Sequence, residues 1–181
     1  RQEETIYHRQ LKMTSPALNR FRDLVLYNLE AGQAVLTDNN DIRIYTDGKE
    51  KFHALIEEMK RAKKYIHVQY YIIRNDEVWQ DIEKVLIEKA HEGVEVRVLF
   101  DSMGCRTMHK RDWDRLKCEG IRVAEFFPAI LGQLQMRVNY RNHRKIVVID
   151  GKVGFVGGFN VGREYIGKDE KFGYWRYTFV Y

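Results

Sequence analysis

The sequence predicts an α/β domain with a mixed, mostly parallel sheet flanked by helices. Segments with the 3.6-residue apolar period of a helix alternate with short β-branched runs, and the connections between them are short and contain glycine. Of the 181 residues, 44% are hydrophobic, which excludes a wholly disordered chain and allows a sizeable core. The length suits one ordinary domain.

The elements follow in order along the chain. Residues 1–14 are polar and aperiodic, and we expect this segment to be frayed. Ser15 and Pro16 predict the start of a helix that ends at Gly32 and carries Phe21, Leu24, Val25 and Leu29 on one face. Residues 15–181 are expected to form a single domain that is truncated at its C-terminus.

The rest of the chain alternates between the two kinds of element. The patterns predict helices at 49–64, 77–92 and 109–119, and strands at 41–46, 65–73, 94–100, 121–127, 145–150 and 153–156. The last two strands flank a tight turn and predict a hairpin. Asp101 directly follows a strand, where chemistry gathers in parallel sheets, although a turn or cap role is commoner for such an aspartate.

Charge and cysteine content narrow the function classes. The chain has 31 Lys and Arg residues against 26 acidic ones, a formal charge of +5, which favours anionic partners such as phosphate, nucleic acid or an acidic membrane surface. Its two cysteines match no metal-binding or disulfide spacing. No apolar run reaches the ~20 residues of a membrane-spanning helix.

One segment, Asn142–Asp150, carries the strongest chemical signal. His143 and Lys145 are two residues apart at the start of a strand, so their side chains leave the same face. A neutral imidazole can attack the phosphorus of a phosphodiester while a neighbouring ammonium group holds a non-bridging oxygen and offsets the developing charge. The pair therefore predicts phosphoryl-transfer chemistry.

Residues further along complete the predicted site. Asn160 adds an amide donor for substrate phosphate, and Gly157 and Gly158 let the backbone approach closely because they have no Cβ. Asp150 closes the strand, where it can bind local backbone amides or Lys145. We expect no metal and no other cofactor, because the carboxylate clusters that hold Mg²⁺ in many phosphoryl-transfer enzymes are absent from the sequence.

The full pattern H-x-K-x4-D-x6-G-G-x-N resembles the HKD motif of the phospholipase D superfamily. The surrounding segments 139–160 and 70–76 (YYIIRND) look most like bacterial cardiolipin synthases, and the likeness extends from Leu18 to Arg176. A chance match to six fixed positions is rarer than roughly one in ten thousand. The resemblance implies a phospholipase D-type layered sandwich and, for this chain, its first HKD half.

The resemblance also implies a reaction. Cardiolipin synthases cleave one phosphatidylglycerol through a phosphohistidine and pass the phosphatidyl group to a second, releasing glycerol. His143 corresponds to the motif histidine, Lys145 and Asn160 to phosphate contacts, and Asp150 to the motif aspartate. The implied partners are phosphatidylglycerol and an anionic surface, on the cytoplasmic side of a bacterial membrane.

Two departures from the family pattern leave alternatives open. The chain has one HKD motif where the family has two, so a second copy or a further half must complete the site. After Trp175-Arg176 the family reads Asp-Thr-His, whereas this chain reads Tyr177-Thr178-Phe179, and a reading-frame slip would explain the change.

The alternatives are a homodimeric HKD phosphodiesterase or endonuclease, and a catalytically dead domain that binds a phosphoanion. Nucleic acid is the less favoured partner because an aromatic-rich stacking surface is not evident in the sequence.

Overall fold

The computed structural model describes residues 16–37, 40–127, 141–174 and 177–181. It divides into two compact units, Arg1–Asp41 and Ile42–Tyr181. The boundary that we expected near residue 15 falls at the edge of the described part.

Within its described residues, the first unit contains the helices α1 (Pro16–Asn19) and α2 (Arg22–Gly32). The predicted helix ends at Gly32 as expected, but it is interrupted before Arg22, and its apolar face is mostly exposed. Only Leu29 is buried, whereas Phe21 and Leu24 are 54% and 60% exposed. The predicted cap residue Ser15 lies outside the described residues.

In the described residues of the second unit, a seven-stranded sheet packs with three α-helices. Its strands are β1 (Ile44–Tyr45), β2 (Tyr65–Tyr70), β3 (Glu95–Asp101), β4 (Arg122–Phe126), β5 (Ile146–Ile149), β6 (Val153–Gly157) and β7 (Phe179–Val180). Its helices are α3 (Gly48–Arg61), α4 (Glu77–His91) and α5 (Lys110–Cys118), and a short 3₁₀ helix covers Arg163–Ile166. None of the helices in the described ranges is both long and apolar enough to cross a bilayer.

The sheet order β1-β7-β6-β5-β2-β3-β4 confirms a mixed sheet. The expected predominance of parallel strands was wrong: β2 pairs in parallel with β3, and β3 with β4, but the other four pairings are antiparallel. The βαβ repeats of the first half produce the parallel pairs. The later β5–β6 hairpin must be antiparallel, and it enters beside β2 in the middle of the sheet.

The core lies between the helices and one face of the sheet. Alternate strand residues point into it because successive side chains of a strand leave opposite faces. Among its most buried members are Leu55, Met59, Ile66, Trp79, Ile82, Leu86, Val98 and Val147. The other face, with His67, Gln69 and Val148, is half-buried.

The topology brings three chain segments to one edge of the sheet. Parallel strands β2 and β3 both end there, at Tyr70 and Asp101. Strand β5 runs antiparallel to β2, with Ile146 opposite Gln69, so β5 begins at the edge where β2 ends. The residues just before β5 therefore lie beside the carboxyl ends of β2 and β3.

Candidate active site

The structure brings His143 and Lys145 together at this edge. The Lys145 Nζ atom lies 2.9 Å from Nδ1 and 3.0 Å from Nε2 of the imidazole, and it donates a hydrogen bond to the His143 carbonyl oxygen at 3.0 Å. The imidazole packs against the ring of Tyr71, with ring centroids 4.5 Å apart. The pairing that the sequence spacing predicts is therefore present.

The electrostatics of the pair suit a nucleophile beside a phosphate anchor. Lys145 is only 4% exposed, and burial lowers the pKa of its ammonium group to about 8. Burial and then the charge of Lys145 lower the pKa of His143, and the nearby Asp101 partly opposes them. At neutral pH the imidazole is therefore mostly neutral and nucleophilic while the lysine is mostly charged.

Asp101 joins the end of β3 to the residues before His143. Its Oδ1 atom accepts backbone hydrogen bonds from Met103 at 2.9 Å and Gly104 at 3.3 Å, and its Oδ2 atom accepts one from Asn142 at 3.3 Å. The turn role favoured from sequence is confirmed. The bond to Asn142 adds a second role, because it fixes the segment that leads into His143.

Asn160 lies beside the same end of β2 but is held by protein groups. Its Oδ1 atom accepts from the Ile72 backbone amide at 3.1 Å, and its Nδ2 atom donates to the Tyr165 hydroxyl at 2.8 Å. The side chain is 5% exposed. One Nδ2 hydrogen remains for a phosphate, so the predicted role of Asn160 stays a prediction.

The two glycines allow a close approach, but of another strand. A Cβ atom at Gly157 would lie 2.6 Å from both the Phe179 ring and the Thr178 carbonyl oxygen, and one at Gly158 would lie 2.8 Å from the Tyr177 ring. Both positions therefore need glycine so that β7 can pair with β6. The Gly157 amide also donates to the Lys145 carbonyl at 3.3 Å, which ties this packing to the site.

Asp150 is not brought to the histidine. Asp150 follows β5, whereas Lys145 precedes β5. Five residues of extended chain therefore separate these two residues by about 17 Å. The Asp150 carboxylate accepts the backbone N–H groups of Lys63, Lys64 and Tyr65 at 2.8–2.9 Å. Of the two partners that the sequence allowed, the structure selects backbone amides.

Tyr71 is a site residue that sequence reasoning missed. Its ring contacts His143, and the Lys145 ammonium lies 5.4 Å from the ring centroid. Its only signal was its place in the YYIIRND segment directly after β2. Throughout the described part of the chain, no group of three or more His, Cys, Asp or Glu side chains could hold a metal ion.

Comparison with protein families identifies the family to which the chain belongs. Residues 55–171 match the family described as "Cardiolipin synthase, PLD-like domain". The chain belongs to this family. It is 48% identical over 169 residues to a cardiolipin synthase of Oceanobacillus iheyensis, covering 93% of this chain and 35% of that protein. It is 50% identical over 159 residues to one from Staphylococcus aureus, covering 88% and 32%. The chain thus spans about a third of the length of these relatives.

Solved structures support the fold of this cardiolipin synthase-family domain. NucT from Helicobacter pylori superposes with a TM-score of 0.57 at 15% identity, covering 77% of this chain and 83% of that one. A phosphatidylserine synthase from Haemophilus influenzae gives 0.54 at 19% identity, covering 77% and 32%. At these identities the likeness concerns the fold alone, and the assignment to a PLD-like domain rests on the family match.

Proposed function

We propose that the chain carries one half of a phosphatidyltransferase site that joins two phosphatidylglycerols into cardiolipin. The contact of a depressed-pKa imidazole with a buried ammonium at the sheet edge carries this proposal. Identity near 50% to curated cardiolipin synthases supports the substrate class. Because the family pattern has two HKD motifs and this chain carries one, we expect a second motif to complete the site.

In the first step a ring nitrogen of His143 attacks the lipid phosphorus. The nitrogen lone pair forms a P–N bond while the bond to the glycerol oxygen breaks, and that oxygen needs a proton as it leaves. Lys145 stays protonated and stabilises the charge on the non-bridging oxygens. The proton comes from an acid outside this motif, which the family pattern assigns to the second histidine.

In the second step the hydroxyl of another phosphatidylglycerol attacks the phosphohistidine. Its oxygen binds phosphorus, the P–N electrons return to the imidazole, and the hydroxyl proton passes to the group that acted as acid. The second motif comes from a further half of a longer protein or from a second copy of this chain.

Exposed side chains of the first unit support the membrane part of the proposal. Phe21, Leu24 and Tyr27 are 54–69% exposed and recur at three-residue spacing, and Arg20 is exposed beside them. An apolar, aromatic helix face with arginine at its border suits an anionic lipid surface. We place that surface on the cytoplasmic side of a bacterial membrane.

An activated phosphodiester tests the nucleophile without the second motif. The nitrophenolate leaving group of bis(4-nitrophenyl) phosphate needs no proton, so the chain should release up to one equivalent in a burst and retain an acid-labile phosphoryl group on His143. His143→Ala should abolish both, and His53→Ala, at an exposed histidine on α3, should change neither. Absence of the adduct in the unmodified chain would favour the catalytically dead alternative.

Incubation with phosphatidylglycerol vesicles tests the substrate class, with the oligomeric state measured in parallel. Cardiolipin formed only by dimeric material would show that a second copy supplies the acid. Adduct formation with cleavage of single-stranded DNA, but not of phosphatidylglycerol, would replace the lipid proposal with the endonuclease alternative.

A further inference from the structure

A polar groove of about 600 Å³ opens beyond the carboxyl end of β2. Its walls come from the segment after β2, the segment before α5, and the region of the 3₁₀ helix. Among the lining residues are Arg74, Asn75, Gln80, Thr107, Arg163 and Lys171. None of these residues takes part in the chemistry proposed for His143.

Two adjacent chain segments lead from His143 to this groove. Tyr71 contacts the imidazole, and the residues after it run parallel to the segment that begins at Asn160, with Arg74 donating its backbone amide to the Val161 carbonyl at 2.9 Å. Tyr71 and Arg74 are three residues apart, so their Cα atoms are at most about 11 Å apart. The groove therefore includes a residue whose Cα atom lies within about 11 Å of that of Tyr71, the residue that contacts His143.

Arg74 is held in the groove by an ion pair with a buried carboxylate. Its Nε atom donates to Oε1 of Glu164 at 2.7 Å, and the Glu164 side chain is only 5% exposed. That bond raises the pKa of Arg74 and fixes the guanidinium, whose two Nη groups have no hydrogen-bond partner among the described residues. Gly162 makes room for this pair, because a Cβ there would collide with both side chains.

Of the four acidic residues that line the groove, two form ion pairs and two accept hydrogen bonds from backbone amides. Glu164 pairs with Arg74, and Glu77 lies 3.6 Å from Lys168. Asp76 accepts the backbone amide of Arg163 at 2.8 Å. The last acidic residue of the lining, Asp169, similarly accepts the backbone amide of Lys171 at 3.0 Å.

The cations of Arg163 and Lys171 form no ion pair among the described residues, and both side chains are exposed. The lining thus offers cationic donors for a phosphate and amide or hydroxyl groups for a polyol.

We propose that the groove binds the glycerophosphate headgroup of the acceptor lipid. Its phosphate contacts the free edge of the Arg74 guanidinium, and its terminal hydroxyl points along the two segments toward His143. This assignment rests on the proposed phosphatidyl transfer, in which two phosphates must be held one glycerol apart. The acceptor oxygen then attacks the phosphohistidine, the P–N bond breaks, and the hydroxyl proton goes to the imidazole of the second motif.

Binding of glycerophosphoglycerol, the deacylated headgroup of phosphatidylglycerol, tests this assignment on the full chain. Titration followed by ¹⁵N NMR should show two sites, one shifting signals around His143 and one shifting the Arg74 Nε–H. Arg163→Gln with Lys171→Gln, both at exposed positions, should weaken the second site at least tenfold and leave the first. The matched double variant Lys84→Gln with Lys152→Gln, also at exposed positions, should weaken neither.

Arg74 variants test the planar contact itself. Arg74→Lys keeps the positive charge but loses the planar set of guanidinium N–H donors, so it should still weaken binding of the headgroup in the groove about tenfold. Saturation of a single site near His143, with no shift of Arg74, would overturn the assignment. The nitrophenolate burst keeps the two failures apart: a burst without groove binding rejects only the groove, whereas loss of both rejects the proposed function.

Discussion

The two ends of strand β5 carry residues of the same motif and do different work. At its start, Lys145 is buried and contacts the His143 imidazole, which packs against the ring of Tyr71. At its end, Asp150 is half-buried and satisfied by three backbone amides. At the first end, burial of the Lys145 ammonium group costs stability and suits the proposed chemistry. At the second end, the Asp150 carboxylate acts as a structural clamp, because it binds backbone amides of another segment. We therefore expect the two ends of the motif to serve different functions, chemistry at Lys145 and structural support at Asp150.

The clamp has a clear structural purpose. Asp150 adopts a left-handed backbone conformation, with φ of 54°, and its carboxylate holds the connection between α3 and β2. It thereby fixes the start of β2, whose other end supports Tyr71 and Ile72 beside the site. Aspartate suits the position because it tolerates this conformation and offers two acceptor oxygens.

Removing the ammonium at the start of β5 should have the largest effect on activity. Lys145→Met should reduce the rate of the nitrophenolate burst by about 10²–10³-fold, the size expected for losing a preorganised charge stabiliser. The free energy of unfolding should stay equal or rise, because a buried ammonium is replaced by an apolar side chain of similar length. Stopped-flow absorbance and urea denaturation measure the two effects. A large loss of stability with the burst retained would reverse the assignment of this end.

Removing the carboxylate at the end of β5 should show the opposite pattern. Asp150→Ala leaves three backbone N–H groups without their acceptor and should lower the free energy of unfolding by about 3 kcal/mol. The burst amplitude per folded molecule should not change. Asp150→Asn keeps one acceptor oxygen and the tolerance of positive φ, so it should lose less. If Asp150→Ala abolished the adduct without loss of stability, Asp150 would belong to the chemistry.

The local sequence predicts most elements but not how the second half joins the first. Helices α3, α4 and α5 were predicted because their apolar period and caps are local signals; Asp47, for example, caps α3 through the Glu50 amide. The insertion of β5 beside β2 depends on pairing between residues about 80 positions apart, as in Val68 and Val147. No local pattern encodes that choice, so the share of parallel pairing was overestimated.

In the candidate site too, some contacts follow from the local sequence and others depend on the fold. The contact of His143 with Lys145 follows from two-residue strand periodicity, so the sequence predicted it. The positions of Tyr71 and Asp101 depend on the fold, which brings the ends of β2 and β3 to this edge. The glycines were correctly linked to close packing, but their partner is β7, as shown by Gly157 against Phe179. The sequence therefore predicts which residues carry the chemistry better than it predicts which residues pack around them.

A smaller effect is expected at Gly157, whose amide donates to the Lys145 carbonyl oxygen, and it tests how closely β7 packs beside the start of β5. Gly157→Ala forces a Cβ against Phe179 and the Thr178 carbonyl, and should lower the free energy of unfolding by about 2 kcal/mol. Gly154→Ala lies on the same strand with no atom within 4 Å of its Cβ, and should be neutral within about 0.5 kcal/mol. Equal effects in thermal denaturation would mean that β7 does not pack here.

The pH dependence of the nitrophenolate burst tests whether the two ends of β5 differ in function. Lys145 must be protonated to hold a phosphate, and its pKa is about 8, so the rate should fall by up to tenfold per pH unit above pH 8. His143 must be neutral, and its pKa lies below 6.5, so the rate should also fall below that lowered value. An Asp150→Asn variant, altered only at the clamp, should keep the same profile.

The same lowered pKa of Lys145 fixes the sign of its effect on stability. Between pH 8 and the unfolded value of about 10.4 the unfolded chain binds more protons, so stability should rise with pH across that interval. Below pH 8 both states are protonated and the burial penalty is constant. Lys145→Met should remove this rise, which urea denaturation at several pH values would detect. A slope that persists in Lys145→Met would have to come from another buried amine, and Lys51, fully buried against the Tyr70 hydroxyl at 2.7 Å with its pKa well below the usual value, is the group to replace next.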